Sequence, residues 1–325
     1  MDLEQPNRSP PSTRPSGRDR NTESNLADIK RAIKEKRLTM VFGTGISSNA
    51  VQCSTADCDM QTRSHAESAI SWKGLILNGL QYLGDSYERS LEESEKRELA
   101  CYKECLEQRE IATGTMIRAA TFLKAKLNAL QKLQNWLNLE FKSLYHNVIG
   151  DGQNAMLDSI KRLHDCDVRI MTTNYDDLIS KRCKLQAIVP KDEQRLRQFF
   201  SGEDGRSSIL HIHGQFSQGE DAVLDEIDYF KTTTHSFLQY GLKSSLIGPE
   251  VLAFVGTGQG LADPNFGSLL RWASENLGQT GKRHYVLVSD EAAMPNSFLE
   301  VVRYGDYNRL PSFLSELASS VQNGA

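Results

Sequence analysis

Apolar residues along this chain follow two rhythms. Largely apolar runs of four or five, at residues 38–42, 168–171, 209–212, 251–255 and 285–288, have strand length and little of the polar alternation of a solvated sheet face. Elsewhere, apolar positions recur three and four residues apart. Leu26, Ile29 and Ile33 predict an amphipathic helix over 24–37, and Trp72, Leu75, Ile76, Leu80 and Leu83 predict another over 72–83. Helices are also expected at 155–163, 234–246 and 266–277, with helical turns from 298 onward. Strand and helix alternate, so the chain is expected to be an α/β protein, with a largely parallel sheet covered by helices on both faces.

Four stretches break that alternation. Residues 1–23 are proline, serine, arginine and asparagine with almost nothing to bury, and are expected to be a disordered tail ahead of one domain over 24–325. Residues 51–71 are polar and irregular and read as a long loop over the mouth of the first strand, either a lid or a surface excursion. Residues 191–208 read as a charged connector. Residues 85–150 read as a helical insertion, in which 85–110 carry nine acidic and five basic side chains. Met116, Ala120, Leu123, Leu127, Leu130, Leu133, Leu137, Phe141 and Leu144 then line up as one apolar stripe. That stripe either packs within the domain or serves a homo-oligomer, and self-association is the expectation, with the acidic outer face keeping the unit soluble.

The chemistry collects at the ends of the strands. The first opens into Gly43-Thr44-Gly45-Ile46-Ser47, small residues that let backbone N–H groups approach a ligand closely. A helix beginning there favours a phosphate, whereas the bland alternative is a tight turn. Ser48 stands where the third glycine of the ordinary dinucleotide fingerprint belongs. Three more strands end in Thr172-Thr173-Asn174-Tyr175-Asp176, in His213-Gly214 and in Gly256-Thr257-Gly258. Parallel strands bring these ends together, and ligands in such sheets sit beyond them. Asn174 and Asp176 are either site residues or caps of the next helix. Of the two histidines on one strand face, His211 is expected to be a core residue and His213 the catalytic one, because Gly214 frees the backbone where His213 leaves the sheet.

Composition narrows the function classes. At 325 residues, with 39% hydrophobic and 25% charged residues and a formal charge of -4, the chain reads as a globular protein without affinity for nucleic acid. It shows no run that would span a membrane and no apolar leader near Met1, so a cytoplasmic location is expected. Cys53 and Cys58 are five apart and Cys101 and Cys105 four apart, while Cys166 and Cys183 are isolated. None has the spacing of a structural zinc site, and no metal is expected.

Taken together, Gly43-Thr44-Gly45-Ile46-Ser47, Thr173-Asn174-Tyr175-Asp176, His213-Gly214 and Gly256-Thr257 resemble the NAD-binding and catalytic motifs of the sirtuin superfamily. The resemblance runs over about residues 38–290 without the insertion. It is nearest to the divergent SIR2-like branch, found in bacterial antiphage proteins and fused to sensor modules. Thr172-Thr173-Asn174-Tyr175-Asp176, Asp228-Tyr229 and Asp263-Pro264-Asn265 favour that branch.

The resemblance implies a Rossmann-like fold with NAD+ as substrate. Gly43, Gly45 and Ser47 would lie against the pyrophosphate and its ribose, and Thr44, Ile46, Thr173 and Gly258 join the binding set. Asn174 would contact the nicotinamide ribose and order the attacking water, Asp176 would lie near the nicotinamide amide, and His213 would act as base on a ribose hydroxyl. Gly256 and Thr257 would line the adenosine side, with Ser289 and Asp290 toward the adenine ribose. Two departures matter. The four zinc-ribbon cysteines of deacylating sirtuins are missing between His213 and Val251, and Asn49-Ala50-Val51-Gln52-Cys53 replaces their Gly-Ile-Pro-Asp-Phe-Arg. The expected activity is therefore an NAD+ hydrolase releasing nicotinamide and ADP-ribose, as an immune or toxic effector in antiviral defence. The alternatives are an NAD-dependent deacylase or ADP-ribosyltransferase, and a catalytically silent NAD- or ADP-ribose-binding oligomerisation module.

Overall fold

The computed structural model describes residues 17–322 apart from 53, 55–58, 109, 110, 151, 205, 279 and 293–297. Helix α1 (Gly17–Lys34) leads into strand β1 (Leu38–Phe42). A run of helices follows: α2 (Thr44–Gln52), α3 (Met60–Ile70), α4 (Trp72–Tyr87), α5 (Glu93–Glu107), α6 (Thr113–Ala129), α7 (Leu133–Phe141) and α8 (Ala155–Asp165). Strands then return with β2 (Arg169–Thr172), α9 (Leu178–Cys183), β3 (Gln186–Ile188), α10 (Glu193–Ser201) and β4 (Ser208–His211). The chain continues through α11 (Glu226–Thr234), α12 (Ser236–Ile247), β5 (Val251–Val255), α13 (Pro264–Leu277), β6 (Tyr285–Val288), β7 (Glu300–Arg303) and α14 (Leu310–Gln322).

Among the described residues, seven strands form one parallel sheet in the order β3-β4-β2-β1-β5-β6-β7. Successive side chains of a strand point to opposite faces. Met40, Phe42, Ile170, Ile209, Ala253 and Leu287 accordingly enter one core, and Val41, Met171, Leu210, Leu252, Phe254 and Val286 the other. Ile29 and Ile33 of α1, Leu157 and Ile160 of α8 and Leu314 of α14 belong to the first core. Phe199 of α10, Leu242 of α12 and Leu270 of α13 belong to the second. Burial on both faces is the reason the strands read as apolar runs rather than as alternating ones. The fold is the expected α/β, Rossmann-like one.

The helices over 85–150 form a layer continuous with the first core. Leu80 of α4, Leu123 and Leu127 of α6, and Trp136, Leu137 and Phe141 of α7 are all buried in it. The apolar stripe is thus largely buried within one chain, with Met116 and Leu130 partly buried against the same core. Helix α5 carries the acidic run, with Leu99 and Leu106 as its buried residues.

Several local expectations change. The polar stretch 51–71 is largely helical: α3 is capped by Asp59, whose carboxylate accepts from the Thr62 N–H at 2.8 Å. The connector 191–208 contains α10, capped by Asp192. Helix α1 starts at Gly17 rather than at residue 24, and residues 1–16 of the expected tail lie outside the described residues. Strands β3 and β7 add an edge on each side, and β7 stands where helical turns were expected. No helix among the described residues is long and apolar enough to cross a membrane.

Candidate active site

The sheet aligns the chemistry. Phe42 pairs with Thr172 on one side and Val255 on the other, and Thr172 pairs with His211, so β4, β2, β1 and β5 end level. Each motif follows immediately and emerges on the same edge. The chain leaves β1 toward β2 and leaves β5 toward β6, so the strand order reverses between β1 and β5, the place where open parallel sheets bind ligands.

At that reversal the two glycine loops are in backbone contact. The Gly43 N–H donates to Val255 O at 3.0 Å and the Gly45 N–H to Gly256 O at 2.9 Å. A Cβ on Gly43 would lie 2.5 Å from Thr257 Cα, and one on Gly256, at φ +64°, would lie 2.9 Å from the Ile46 N. Small residues are therefore required by the approach of one loop to the other as well as by any ligand. The Ile46 N–H donates to Gly43 O at 3.0 Å, so two amides at the start of α2 are already engaged. The Tyr307 hydroxyl donates to the Gly45 carbonyl and braces the loop from the C-terminal side.

Behind this loop lies a chain of buried polar groups. The Asn174 Nδ2 donates to Gly43 O at 3.1 Å and to Ser47 Oγ at 2.8 Å, and the Ser47 hydroxyl donates to Asp176 Oδ2 at 2.7 Å. The carbonyl of Gly43 accepts only, which fixes the orientation of the Asn174 amide. Its Oδ1 is then left facing no partner among the described residues. The Leu178 N–H donates to Asp176 Oδ1 at 3.1 Å, so Asp176 caps α9 and joins the network as well. Burial nevertheless pushes its carboxyl up to about 6, against the pull of those hydrogen bonds.

The two histidines have different surroundings. His211 is buried in the sheet, with Nδ1 3.0 Å from Asn174 O. The carbonyl accepts only, so Nδ1 carries the proton. Burial holds this imidazole down at about 4, a neutral strut under Asn174. His213 lines a cavity of about 330 Å³ together with Thr44, Thr173, Tyr175, Tyr229 and Thr257. Burial also lowers its pKa, opposed by the carboxylate of Asp263, whose Oδ2 is 3.3 Å from Nε2.

Of the expected binding residues, Thr44, Thr173, Thr257 and Gly258 line the cavity beside His213. Gly43, Ile46, Ser47, Asn174 and Asp176 are buried beneath its wall, with Gly45 and Gly256 half-buried at the seam of the two loops. Ser289 follows β6 on the same edge, with its carbonyl accepting from Arg303 Nη1 at 2.8 Å and its residue outside the cavity lining. The opposite wall was not foreseen: Ile70, Trp72, Lys73, Ile111, Thr113 and Met116 come from the helical layer. Asp263 was visible as a motif, but nothing in the sequence linked it to His213. Among the described residues no cluster of three metal-binding side chains occurs, and Cys53 and Cys58 lie outside them.

Residues 168–304 match the family model of the SIR2-like domain. The protein Defense-associated sirtuin 2 of Bacillus subtilis is 26% identical over 137 residues, a stretch that is 40% of this chain and 13% of that protein. The matched segment holds Asn174, Asp176, His213, Gly256 and Asp263, and the sheet sets the earlier glycine loop against it. Over residues 168–304 the chain is thus similar to the SIR2-like domain.

Proposed function

We propose that this chain is an NAD+ hydrolase that cleaves the bond between nicotinamide and ribose, with water as acceptor, and that it acts in defence, as the name of the Bacillus subtilis relative says of that protein. The observation that carries the reading is the buried Oδ1 of Asn174, without a hydrogen-bond partner among the described residues and held beside the Gly43 loop by a chain that runs through Ser47 to Asp176. An acceptor kept buried without a partner costs about 1–3 kcal/mol, and a ribose hydroxyl or a water would satisfy it.

The reaction takes NAD+ and water to nicotinamide, ADP-ribose and a proton. As nicotinamide leaves as a neutral base, positive charge develops at the anomeric carbon. The Asn174 oxygen, and the Asp176 carboxylate behind Ser47, are the groups proposed to favour that charge. His213 is held below its ordinary pKa by burial, so the neutral imidazole is the form available to take the proton from water or a ribose hydroxyl. At about 330 Å³ the cavity is near the low end for a small-molecule site. A whole dinucleotide therefore also needs the exposed surface at Gly258 and Gly260.

The test is nicotinamide release from NAD+ by the purified chain. Asn174→Ala and His213→Ala are each expected to lower the rate by about 10²–10⁴-fold, at a folded fraction matched by circular dichroism and melting. His211→Ala is the control, expected to lose stability instead. Full turnover by His213→Ala removes this mechanism. Acyl loss from an added acylated peptide supports the deacylase, and NAD+ binding without turnover supports the silent module.

A further inference from the structure

Asp263 has two oxygens with two different tasks. Its Oδ1 accepts from the Phe266 N–H at 2.7 Å and caps α13, with Pro264 at the first helical position. Its Oδ2 faces His213 Nε2 at 3.3 Å, with both side chains nearly buried, at 6% exposure for His213 and 12% for Asp263. That contact is out of line for a hydrogen bond as it stands, so Nε2 is otherwise without a partner among the described residues. Hydrogen bonds at catalytic groups are commonly loose until substrate is bound. The ring cannot turn freely to relieve this. Tyr229 packs edge-on against it at 5.8 Å and Phe266 lies at 6.4 Å, while the His213 carbonyl accepts from the Val223 N–H at 2.8 Å.

The carboxylate accepts and cannot donate, so it selects the imidazole tautomer with the proton on Nε2. The lone pair is then on Nδ1. When Nδ1 takes a proton, the imidazolium forms beside a negative charge that the positive end of α13 favours. We propose that Asp263 is a positioning residue for His213, capping α13 with one oxygen and fixing the ring proton on Nε2 with the other, so that Nδ1 serves as the base. The assignment rests on the reading of His213 as the base in NAD+ cleavage. It also gives a role to the Asp263-Pro264-Asn265 motif, where Asn265 is anchored separately by Gln239 Nε2 donating to its Oδ1 at 2.9 Å.

Other groups around the ring do not substitute for it. Tyr175, Tyr229 and Lys73 line the same cavity, and Asp228 on α11 is paired with Lys124. Among these, Asp263 is the carboxylate within ion-pair distance of His213.

The experiment uses the full chain carrying Asp263→Asn and, separately, Asp263→Ser. Both residues cap helices about as well as aspartate, so both variants are expected to melt close to the parent. Asparagine turns an N–H donor toward Nε2 and reverses the tautomer, and serine withdraws the contact. Nicotinamide release is measured against pH, and the His213 ring is followed by ¹⁵N imidazole NMR in the free protein. In both variants kcat is expected to fall by about 10²–10⁴-fold with KM little changed. The acidic limb of the kcat profile should move to lower pH, because the removed carboxylate had favoured the protonated ring. The NMR should show the Nε2-protonated tautomer in the parent and the Nδ1-protonated one in Asp263→Asn. Unchanged tautomer, limb and kcat in both variants would overturn the proposal and leave Asp263 as a cap alone. A parent that releases no nicotinamide sinks the cleavage reading instead, and the tautomer then decides the His213–Asp263 pair by itself.

Discussion

Gly43 lies where two stretches of backbone meet, and backbone cannot swing aside as the tip of a side chain can. A Cβ there would stand 2.5 Å from Thr257 Cα and 2.6 Å from Gly256 O. Gly43→Ala is therefore expected to force the β1 and β5 loops apart, lowering stability by about 1–3 kcal/mol as overpacking does and weakening NAD+ binding further. Gly260→Ala is the comparison, since an added Cβ there meets nothing within 4 Å. Urea midpoints of the two variants check this, and equal midpoints would mean that the loops separate freely. At this scale the strand-end glycines, Asn174 and His213 are legible in sequence, because a buried strand that stops in small or polar residues announces where it leaves the core. His211 and His213 are separable for the same reason, one within the strand pattern and one past it. Trp72, Ile111 and Met116 are not legible as wall residues, because along the chain they are ordinary positions of amphipathic helices. Tyr307 is hidden for another reason: its contact with Gly45 spans most of the chain.

Helices α6 and α11 are joined by one buried ammonium. Lys124 pairs with Asp228, lies 3.8 Å from Asp225 Oδ2, and is 8% exposed. Asp228 also accepts from the Leu224 N–H at 3.0 Å, and its helix carries Tyr229, which packs on the His213 ring. Lys124→Ala would leave two carboxylates close together without their cation, which costs about 3–5 kcal/mol when a buried pair is broken on one side. The exposed pair Lys161–Asp165 should give less than about 1 kcal/mol when Lys161→Ala removes it. Urea unfolding of both variants compares them, and a cost as small for Lys124 as for Lys161 would refute the buried-pair account. The elements that escape a reading of the sequence are those that bury little. Helix α3 buries Ala66, Ala69 and Ile70, and α10 buries Leu196 and Phe199, too few to set a period. Strands β3 and β7 are short edge strands, the usual form of a sheet margin.

At the scale of the whole molecule, three of the buried titrating groups respond to acid in pH windows that can be named. Burial holds His211 and His284 at about 4, against about 6.5 unfolded. His284 is fixed as a neutral ring by accepting the Leu252 N–H at Nδ1 and donating from Nε2 to Leu246 O, both at 3.0 Å. Each histidine takes up a proton on unfolding between those values, so its contribution is complete above pH ~6.5 and is lost as pH falls through the window toward 4. Asp176 has the opposite sign. Raised to about 6 in the fold, its contribution is complete below its ordinary value of 3.8 and is lost as pH rises through about 6. The two histidines therefore lower stability toward acid, and Asp176 opposes them over the same range. His284→Gln, which keeps a donor and an acceptor, should therefore lose less unfolding free energy than the parent between pH 6.5 and 4.5 in urea titrations. An equal loss in variant and parent would show that the His284 ring is not held neutral. At the same scale, the parallel sheet with two faces is legible from the apolar runs alone, whereas the order of its strands is not, since no local pattern says which strand lies at the centre. That centre has a consequence of its own. Strand β1 stands between β2 and β5, yet it precedes residue 168, where the likeness to the SIR2-like family begins. Cut at that residue, the chain would keep β3-β4-β2 and β5-β6-β7 as two half-sheets, each with an unpaired inner edge. The border of the family likeness thus falls inside the sheet, between its central strand and the strand beside it.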